Sequence, residues 1–130
     1  QLEEANSIIS QRKEIWNSYH EALLPLETSK RIRRPIIPKD ITSNSHIYYL
    51  LMRDLEDRNN FIKQMRLEDI DCVFHYIPLH NSPAGIKYGK TSGNLQLTEQ
   101  VSNRIVRLPL WLGVDNKKIN KTITSLYSQQ

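Results

Sequence analysis

The side chains best suited to bind a ligand lie in one short stretch, residues 72–85. It begins as an apolar run that favours a β-strand and becomes a loop that contains two prolines and a glycine. His75, Tyr76 and His80 lie where the strand gives way to the loop. Because a strand end holds side chains in fixed directions and a loop leaves them accessible, these three residues are the candidates for contact with a ligand.

The chemistry of these side chains is open to two interpretations. Imidazole and phenol groups donate hydrogen bonds, and Lys87 and Lys90 follow downstream, a combination that suits a phosphate or pyrophosphate group. In the alternative, Tyr76 packs with its hydroxyl satisfied at a rim, and the histidines only cap the loop. The spacing favours neither.

The same stretch also raises the question of a metal site or a nucleophile. Cys72, His75 and His80 are spaced C-x2-H-x4-H, but residues three apart on a strand point Cys72 and His75 to opposite faces. Cys72 lies inside an apolar run, where a thiol packs rather than reacts. The chain contains no Gly-rich phosphate loop and no nucleophile elbow. We therefore predict neither a zinc site nor a complete catalytic set.

Composition indicates one domain of 130 residues with a net charge of +4. The basic residues are scattered, with one cluster over 30–34, and such an excess is more typical of a solvated face than of a nucleic-acid interface. We expect no nucleic-acid partner; a module that binds nucleic acid through Arg31, Arg33 and Arg34 is the alternative. The sequence contains no run of about 18 apolar residues that would predict a membrane helix. A single cysteine suits the cytoplasm.

The opening of the chain indicates a fragment. Residues 1–5 already follow a helical rhythm, without a methionine and without a Ser, Thr, Asp or Asn cap in front. We expect a piece cut inside, or just before, a long helix. Processing of a complete small protein is the alternative.

Hydrophobic periodicity predicts an α+β domain in which helices cover a small antiparallel sheet of about three strands. Apolar gaps of three or four predict a long N-terminal helix over 2–24 that Pro25 ends. The extended predictions are an irregular edge strand over 32–37, a central strand over 45–53 and a strand over 70–76. The others are a helix that begins at Asp57, an unstructured loop over 78–97, a helix over 98–106, an extended segment over 108–112 and a last helix capped by Asp115.

Five features carry a resemblance to a known family. Residues 74–85 read FHYIPLHNSPAG, and residues 104–110 read RIVRLPL. They are accompanied by QRKEIWNSY over 11–19, SHIYYLLMR over 45–53 and the pair Thr98-Glu99. Together they resemble the C-terminal domain of the sugar-nucleotide aminotransferases, the DegT/DnrJ/EryC1/StrS group of pyridoxal-phosphate enzymes of fold type I. The similarity spans nearly all of the 130 residues.

The resemblance implies the small domain of the aspartate aminotransferase-like fold, with residues 1–25 as the helix that joins residues 1–130 to an absent large domain. The full enzyme is then expected to transfer an amino group from glutamate to the 4-keto-6-deoxy sugar of a dTDP-sugar, in cell-surface polysaccharide or antigen biosynthesis. Pyridoxal 5'-phosphate and its Schiff-base lysine would belong to the large domain, so we expect neither a cofactor nor a catalytic residue on this chain. A homodimer is the implied assembly.

The same resemblance assigns roles to the candidate residues. It implies that His75 and Tyr76 approach the nucleotide pyrophosphate and that His80 lies near the sugar or near the loop that shapes the sugar pocket. Arg104 and Arg107 are the weaker candidates, and a structural or interface role is expected for Arg107 at a helix end. A stand-alone ligand-sensing or oligomer-forming domain is the non-enzymatic alternative.

Overall fold

The computed structural model describes residues 3–128 and shows an α+β fold. In chain order its elements are α1 (Ala5–Ala22), α2 (Leu24–Thr28), β1 (Tyr48–Leu51), α3 (Leu55–Leu67), β2 (Val73–Phe74), a 3-10 turn (Leu79–Asn81), α4 (Pro83–Tyr88), α5 (Gln96–Arg104), β3 (Ile105–Leu108) and α6 (Asn116–Ser128). The strands form an antiparallel sheet in the order β1-β3-β2. The predicted fold class, helices on a small antiparallel sheet, is confirmed.

The centre of the sheet is β3, not the strand that the sequence predicted. Leu50 of β1 and Phe74 of β2 both pair with Val106, on its two sides. The predicted helix over 98–106 is therefore wrong at its end, because α5 stops at Arg104 and the next residue begins β3. Two flanking strands satisfy the backbone groups of this segment, and its branched side chains suit a pleated surface.

The hydrophobic core lies on one face of this sheet. Tyr48 and Leu50 of β1 and Val106 and Leu108 of β3 are buried on this face, at the period of two that a strand imposes. The helical side of the core is made of Trp16, Tyr19, Leu23, Phe61, Met65, Ile119 and Ile123. The rings of Tyr19 and Tyr48 lie 5.2 Å apart, so α1 packs directly on the edge strand.

The N-terminal helix is shorter than predicted, and Pro25 does not terminate the helical segment. Leu2, where the predicted helix begins, lies outside the described residues. Helix α1 has 18 residues, and Pro25 occupies the first turn of α2 immediately afterwards. Proline is tolerated there because the N–H groups of a first helical turn have no intrahelical acceptor.

The other predicted strands are shorter in the structure than in the prediction. Over 32–37, Arg33 makes a single bridge to Leu51, beside a segment interrupted by Pro35. The strand predicted over 70–76 pairs only at Val73 and Phe74. Asp69 precedes β2 and has a left-handed backbone conformation, with φ at 58°, so the extended segment begins only after it.

The long loop after β2 is partly helical, against the prediction of an unstructured segment over 78–97. A 3-10 turn leads into α4, whose N-cap is Ser82. The Ser82 hydroxyl accepts a hydrogen bond from the Gly85 N–H at 3.0 Å. A Cβ atom at Gly85 would lie 1.6 Å from the Leu79 carbonyl oxygen, so this tight turn requires glycine.

Two predicted caps have different outcomes. Helix α3 is capped by Asp54, which accepts from the Asp57 N–H at 2.8 Å, so the predicted start at Asp57 is wrong by one turn. Asp57 instead pairs with Arg53 at 3.2 Å. The predicted cap of the last helix is confirmed, because Asp115 accepts from the Lys118 N–H at 2.9 Å. Within residues 3–128, no helix is both long and apolar enough to cross a bilayer.

A buried hydrogen bond joins α1 to the segment after β3 and makes a testable prediction. The Tyr19 hydroxyl, on a fully buried side chain, donates to the Pro109 carbonyl at 2.7 Å. Replacing Tyr19 by Phe leaves that carbonyl without its donor, so we expect the free energy of unfolding to fall by about 1–2 kcal/mol. Urea denaturation of this chain measures the change. Tyr88→Phe is the control because Tyr88 is 76% exposed; equal losses in both variants would contradict the prediction.

Candidate functional site

A cleft opens between the end of β2 and helix α5. Its volume is about 420 Å³, within the range of small-molecule sites. His75, Tyr76 and Ile105 line its strand side, and Thr98, Val101 and Ser102 line its helical side. The cleft is therefore mostly apolar, with a few polar groups at one end.

The structure places His75 and Tyr76 together at this polar end. Their rings meet edge to face, with centroids 4.7 Å apart. The Nδ1 atom of His75 is buried and has no hydrogen-bond partner among residues 3–128. Burial lowers the pKa of His75 below its ordinary value, and the nearby Arg107 guanidinium lowers this pKa further. A neutral imidazole with an unsatisfied nitrogen can accept or donate a hydrogen bond to a ligand.

Tyr76 contacts both the strand side and the helical side of the cleft. Its side chain is 67% exposed, so the ring is accessible to a ligand. Its carbonyl accepts a hydrogen bond from the Ser102 hydroxyl of α5 at 2.9 Å. The guanidinium carbon of Arg107, on β3, lies 5.5 Å from the centroid of the Tyr76 ring. The backbone of Tyr76 is thus bonded to the adjacent helix, and its ring contacts a side chain of the adjacent strand.

His80 is separated from the other two candidates. It lies on the 3-10 turn, outside the cleft lining, and its Nε2 is 3.2 Å from a carboxylate oxygen of Glu99 on α5. This contact fixes the turn to the helix that forms one wall of the cleft. Neither Glu99 nor Ser102 was predicted to have a role. No spacing pattern could have identified them, since Glu99 contacts a residue 19 positions away in the chain and Ser102 contacts one 26 positions away.

The two arginine candidates occupy different environments. Arg104 donates from Nε to the Met52 carbonyl at 2.7 Å, which ties the end of β1 to the junction of α5 and β3. The Nε of Arg107 is buried without a hydrogen-bond partner in the described part of the chain. Arg107 also lies within β3, not at a helix end, so that premise of its predicted structural role is wrong.

The remaining polar residues of the sequence analysis lie away from the cleft. Cys72 is 1% exposed, and burial raises the pKa of its thiol to about 12, so it is not a reactive thiolate. Lys87 approaches the Tyr88 ring at 4.9 Å, and both Lys87 and Lys90 are exposed. Over residues 3–128, no group of three or more His, Cys, Asp or Glu side chains is arranged to hold a metal ion.

One arginine of the basic cluster is engaged in contacts within the fold. Arg34 pairs with Glu27 at 2.7 Å, and its side chain is only 12% exposed. Its guanidinium also donates to the His20 carbonyl. One of the three arginines proposed for nucleic-acid binding is therefore occupied in anchoring the segment after α2 to α1.

Comparison with known proteins decides the family. A model described as the DegT/DnrJ/EryC1/StrS aminotransferase family matches residues 1–127. The chain belongs to this family. Uncharacterized protein MJ1066 of Methanocaldococcus jannaschii is 31% identical over 115 residues, which are 85% of this chain and 29% of that protein.

Solved structures of family enzymes show the same fold. DesV of S. venezuelae, crystallised with a ketimine intermediate, superposes with a TM-score of 0.84 at 20% identity over 96% of this chain and 33% of its own. An aminotransferase of Brucella abortus gives a TM-score of 0.78 at 26% identity, over 96% and 32%. PseC of Helicobacter pylori, an aminotransferase of pseudoaminic acid biosynthesis, gives 0.79 at 16% identity, over 100% and 35%. The chain spans about a third of the length of these relatives.

The environment of His75 predicts its titration. Because burial and Arg107 both disfavour the imidazolium, we expect an NMR midpoint below the ordinary value of 6.5. The folded pKa lies below the unfolded one, so this contribution to stability is present above pH 6.5 and is lost as the pH falls toward the folded pKa. Replacing Arg107 by Met should raise the midpoint. A midpoint at or above 6.5 in the unmodified chain would contradict the description.

Proposed function

We propose that residues 1–130 are the C-terminal small domain of a sugar-nucleotide aminotransferase that depends on pyridoxal phosphate. Residues 1–25 would be the helix that joins this domain to a large cofactor-binding domain. Family membership and a span of about a third of the relatives support this assignment. The observation that carries the proposal is the cleft at the end of β2, where His75 and Tyr76 form its polar rim.

The substrate we propose is a nucleotide sugar. Such a molecule combines flat or apolar rings with a charged diphosphate, and the cleft combines apolar walls with hydrogen-bonding groups at one end. In this assignment His75 and Tyr76 contact the diphosphate, and His80 contributes by holding the loop that shapes the sugar pocket, through Glu99 at 3.2 Å. The residues of this chain would therefore orient the substrate rather than carry out the chemistry.

The finer assignment follows the sequence resemblance. We propose glutamate as the amino donor and the 4-keto-6-deoxy sugar of a dTDP-sugar as the acceptor, as in the dTDP-4-amino-4,6-dideoxygalactose transaminase of enterobacterial common antigen synthesis. The proposed location is the cytoplasm.

The residues of the cleft do not fit the role of holding the cofactor. Pyridoxal phosphate supplies an electron sink when it is bound, through a Schiff base with a lysine in an enclosed pocket. The lining of the cleft contains no lysine. Of the nine lysines of the sequence, Lys13 is half-buried and the other eight are exposed. We therefore assign the cofactor to the proposed large domain.

Exposed apolar side chains support association with other parts of the enzyme. Leu79 is 85% exposed, and further large apolar side chains on the same stretch and on α5 are also exposed: Ile77, Ile86, Tyr88 and Leu97. Surfaces of this kind mark interaction sites. We propose that the chain's own large domain and a second subunit of a homodimer are the partners.

Steady-state kinetics of the full-length enzyme tests the proposal. We expect His75→Ala and Tyr76→Phe each to raise the KM for the nucleotide sugar about tenfold, which corresponds to about 1.4 kcal/mol of lost binding. The half-reaction with glutamate should be unchanged, because that substrate lacks the diphosphate.

The control is matched in residue type to His75. His46→Ala removes an exposed imidazole that contacts Asn44. This variant should retain the parent KM. An unchanged KM in His75→Ala and Tyr76→Phe would remove these residues from the site, and absence of amination by the full-length protein would refute the proposed function.

A further inference from the structure

Arg107 faces the same side of the sheet as the cleft. On β3, Val106 and Leu108 are buried in the core, so Ile105 and Arg107 point to the opposite face. Ile105 lines the cleft. Arg107 lies two residues further along this face, where it is flanked by Tyr49 of β1 and Val73 of β2. Its backbone is therefore held on both sides by the sheet.

Five other arginines of the domain show what a structural role looks like here, whereas Arg12, like Arg107, has a buried Nε without a partner among residues 3–128. Arg34, Arg53 and Arg66 each form an ion pair with a carboxylate. Arg58 donates to the Ser102 carbonyl at 3.1 Å, and Arg104 donates to the Met52 carbonyl at 2.7 Å. These contacts use the guanidinium to join segments of the fold.

Arg107 has no such contact among residues 3–128. No described carboxylate lies within ion-pair distance of it, and its Nε is buried without a hydrogen-bond acceptor. Burying a donor of a charged group without a partner is unfavourable. The only specific contact of its guanidinium in this part of the chain is the Tyr76 ring, 5.5 Å from the guanidinium carbon.

A second unsatisfied nitrogen lies beside the same ring. The His75 ring centroid is 4.7 Å from that of Tyr76, and its Nδ1 is also buried without a partner. Two nitrogen groups that lack acceptors thus flank one accessible tyrosine. A single anionic ligand with several oxygen atoms could accept hydrogen bonds from the outer nitrogens of the same two side chains, the Nη groups of Arg107 and the Nε2–H of His75.

We propose that Arg107 is a specificity-determining residue that binds the anionic group of the substrate, together with His75 and Tyr76. This inference rests on the proposed function and adds a residue for which the sequence predicted a structural role. The planar guanidinium can present two parallel N–H donors to a phosphate. Stacking on Tyr76 holds the fork in one orientation before the ligand arrives.

The first experiment uses this 130-residue chain and inorganic pyrophosphate. We expect pyrophosphate to shift the NMR signals of the Arg107 Nε–H group and of the His75 ring in one saturable titration. Arg107→Met keeps the length of the side chain and removes its charge, and it should weaken binding at least tenfold. Arg66→Met is the control, because Arg66 is 73% exposed and pairs with Asp71; it should bind pyrophosphate as the unmodified chain does.

The second experiment measures both half-reactions of the full-length enzyme. Arg107→Met should raise the KM for the nucleotide sugar about tenfold and leave the half-reaction with the amino donor unchanged. Arg107→Lys should restore part of the loss, because it returns the charge without the planar fork. It also provides the test if the Met variant does not fold.

The outcomes separate this inference from the proposed function. It is overturned if pyrophosphate leaves the Arg107 signal in place, or if a folded Arg107→Met or Arg107→Lys enzyme keeps the parent KM. Equal losses in both half-reactions, with a lower melting temperature, would assign Arg107 a structural role and also overturn it. If the full-length protein does not aminate a nucleotide sugar but Arg107 still binds pyrophosphate, the proposed function fails and the anion site stands.

Discussion

Hydrogen bonding along both edges of β3 is the constraint on which the rest of the domain depends. This strand pairs with β1 on one side and β2 on the other, although β2 contributes only Val73 and Phe74. Since the pleat alternates, the pairing that buries Val106 and Leu108 in the core also directs Ile105 and Arg107 to the opposite face. A shift of one residue in register would exchange the core face for the cleft face. Stability and the geometry of the site are therefore determined by the same pairing.

The junction of α5 and β3 joins the core to the cleft. Around it, the Met52 N–H donates to the Arg104 carbonyl at 2.9 Å, and the Arg104 Nε donates back to the Met52 carbonyl at 2.7 Å. Two residues earlier, the Ser102 hydroxyl donates to the Tyr76 carbonyl, and the Ser102 carbonyl accepts from Arg58. The helix that forms one wall of the cleft is thus bonded to β1, to α3 and to the loop after β2. Movement of this wall would require several of these bonds to break together.

The tyrosines of the domain make two kinds of contact, and each kind has a different role. Tyr19 and Tyr48 are fully buried, and burial raises their pKa values well above the ordinary range, so both remain neutral and stabilise the core. Tyr76 is largely exposed, and its ring lies between an imidazole and a guanidinium. The first pair joins a helix to the sheet, whereas the exposed Tyr76 ring contacts the imidazole and the guanidinium on its two sides. The difference lies in the location of each tyrosine, because the residue type is the same.

Local sequence determined where helices α1, α3 and α6 lie, and it located the candidate stretch around His75 and Tyr76. Apolar periodicity identified α1, α3 and α6, and Asp115 capped the last helix as its position predicted. These signals act over a few residues, which a single sequence shows. Only the tertiary structure decided that β3 is the central strand, that His80 pairs with Glu99 away from the cleft, and that Arg107 lies over Tyr76 without a carboxylate partner among the described residues. Such contacts join residues that are far apart in the chain, and the choice of strand pairing that creates them depends on the burial of the whole sheet.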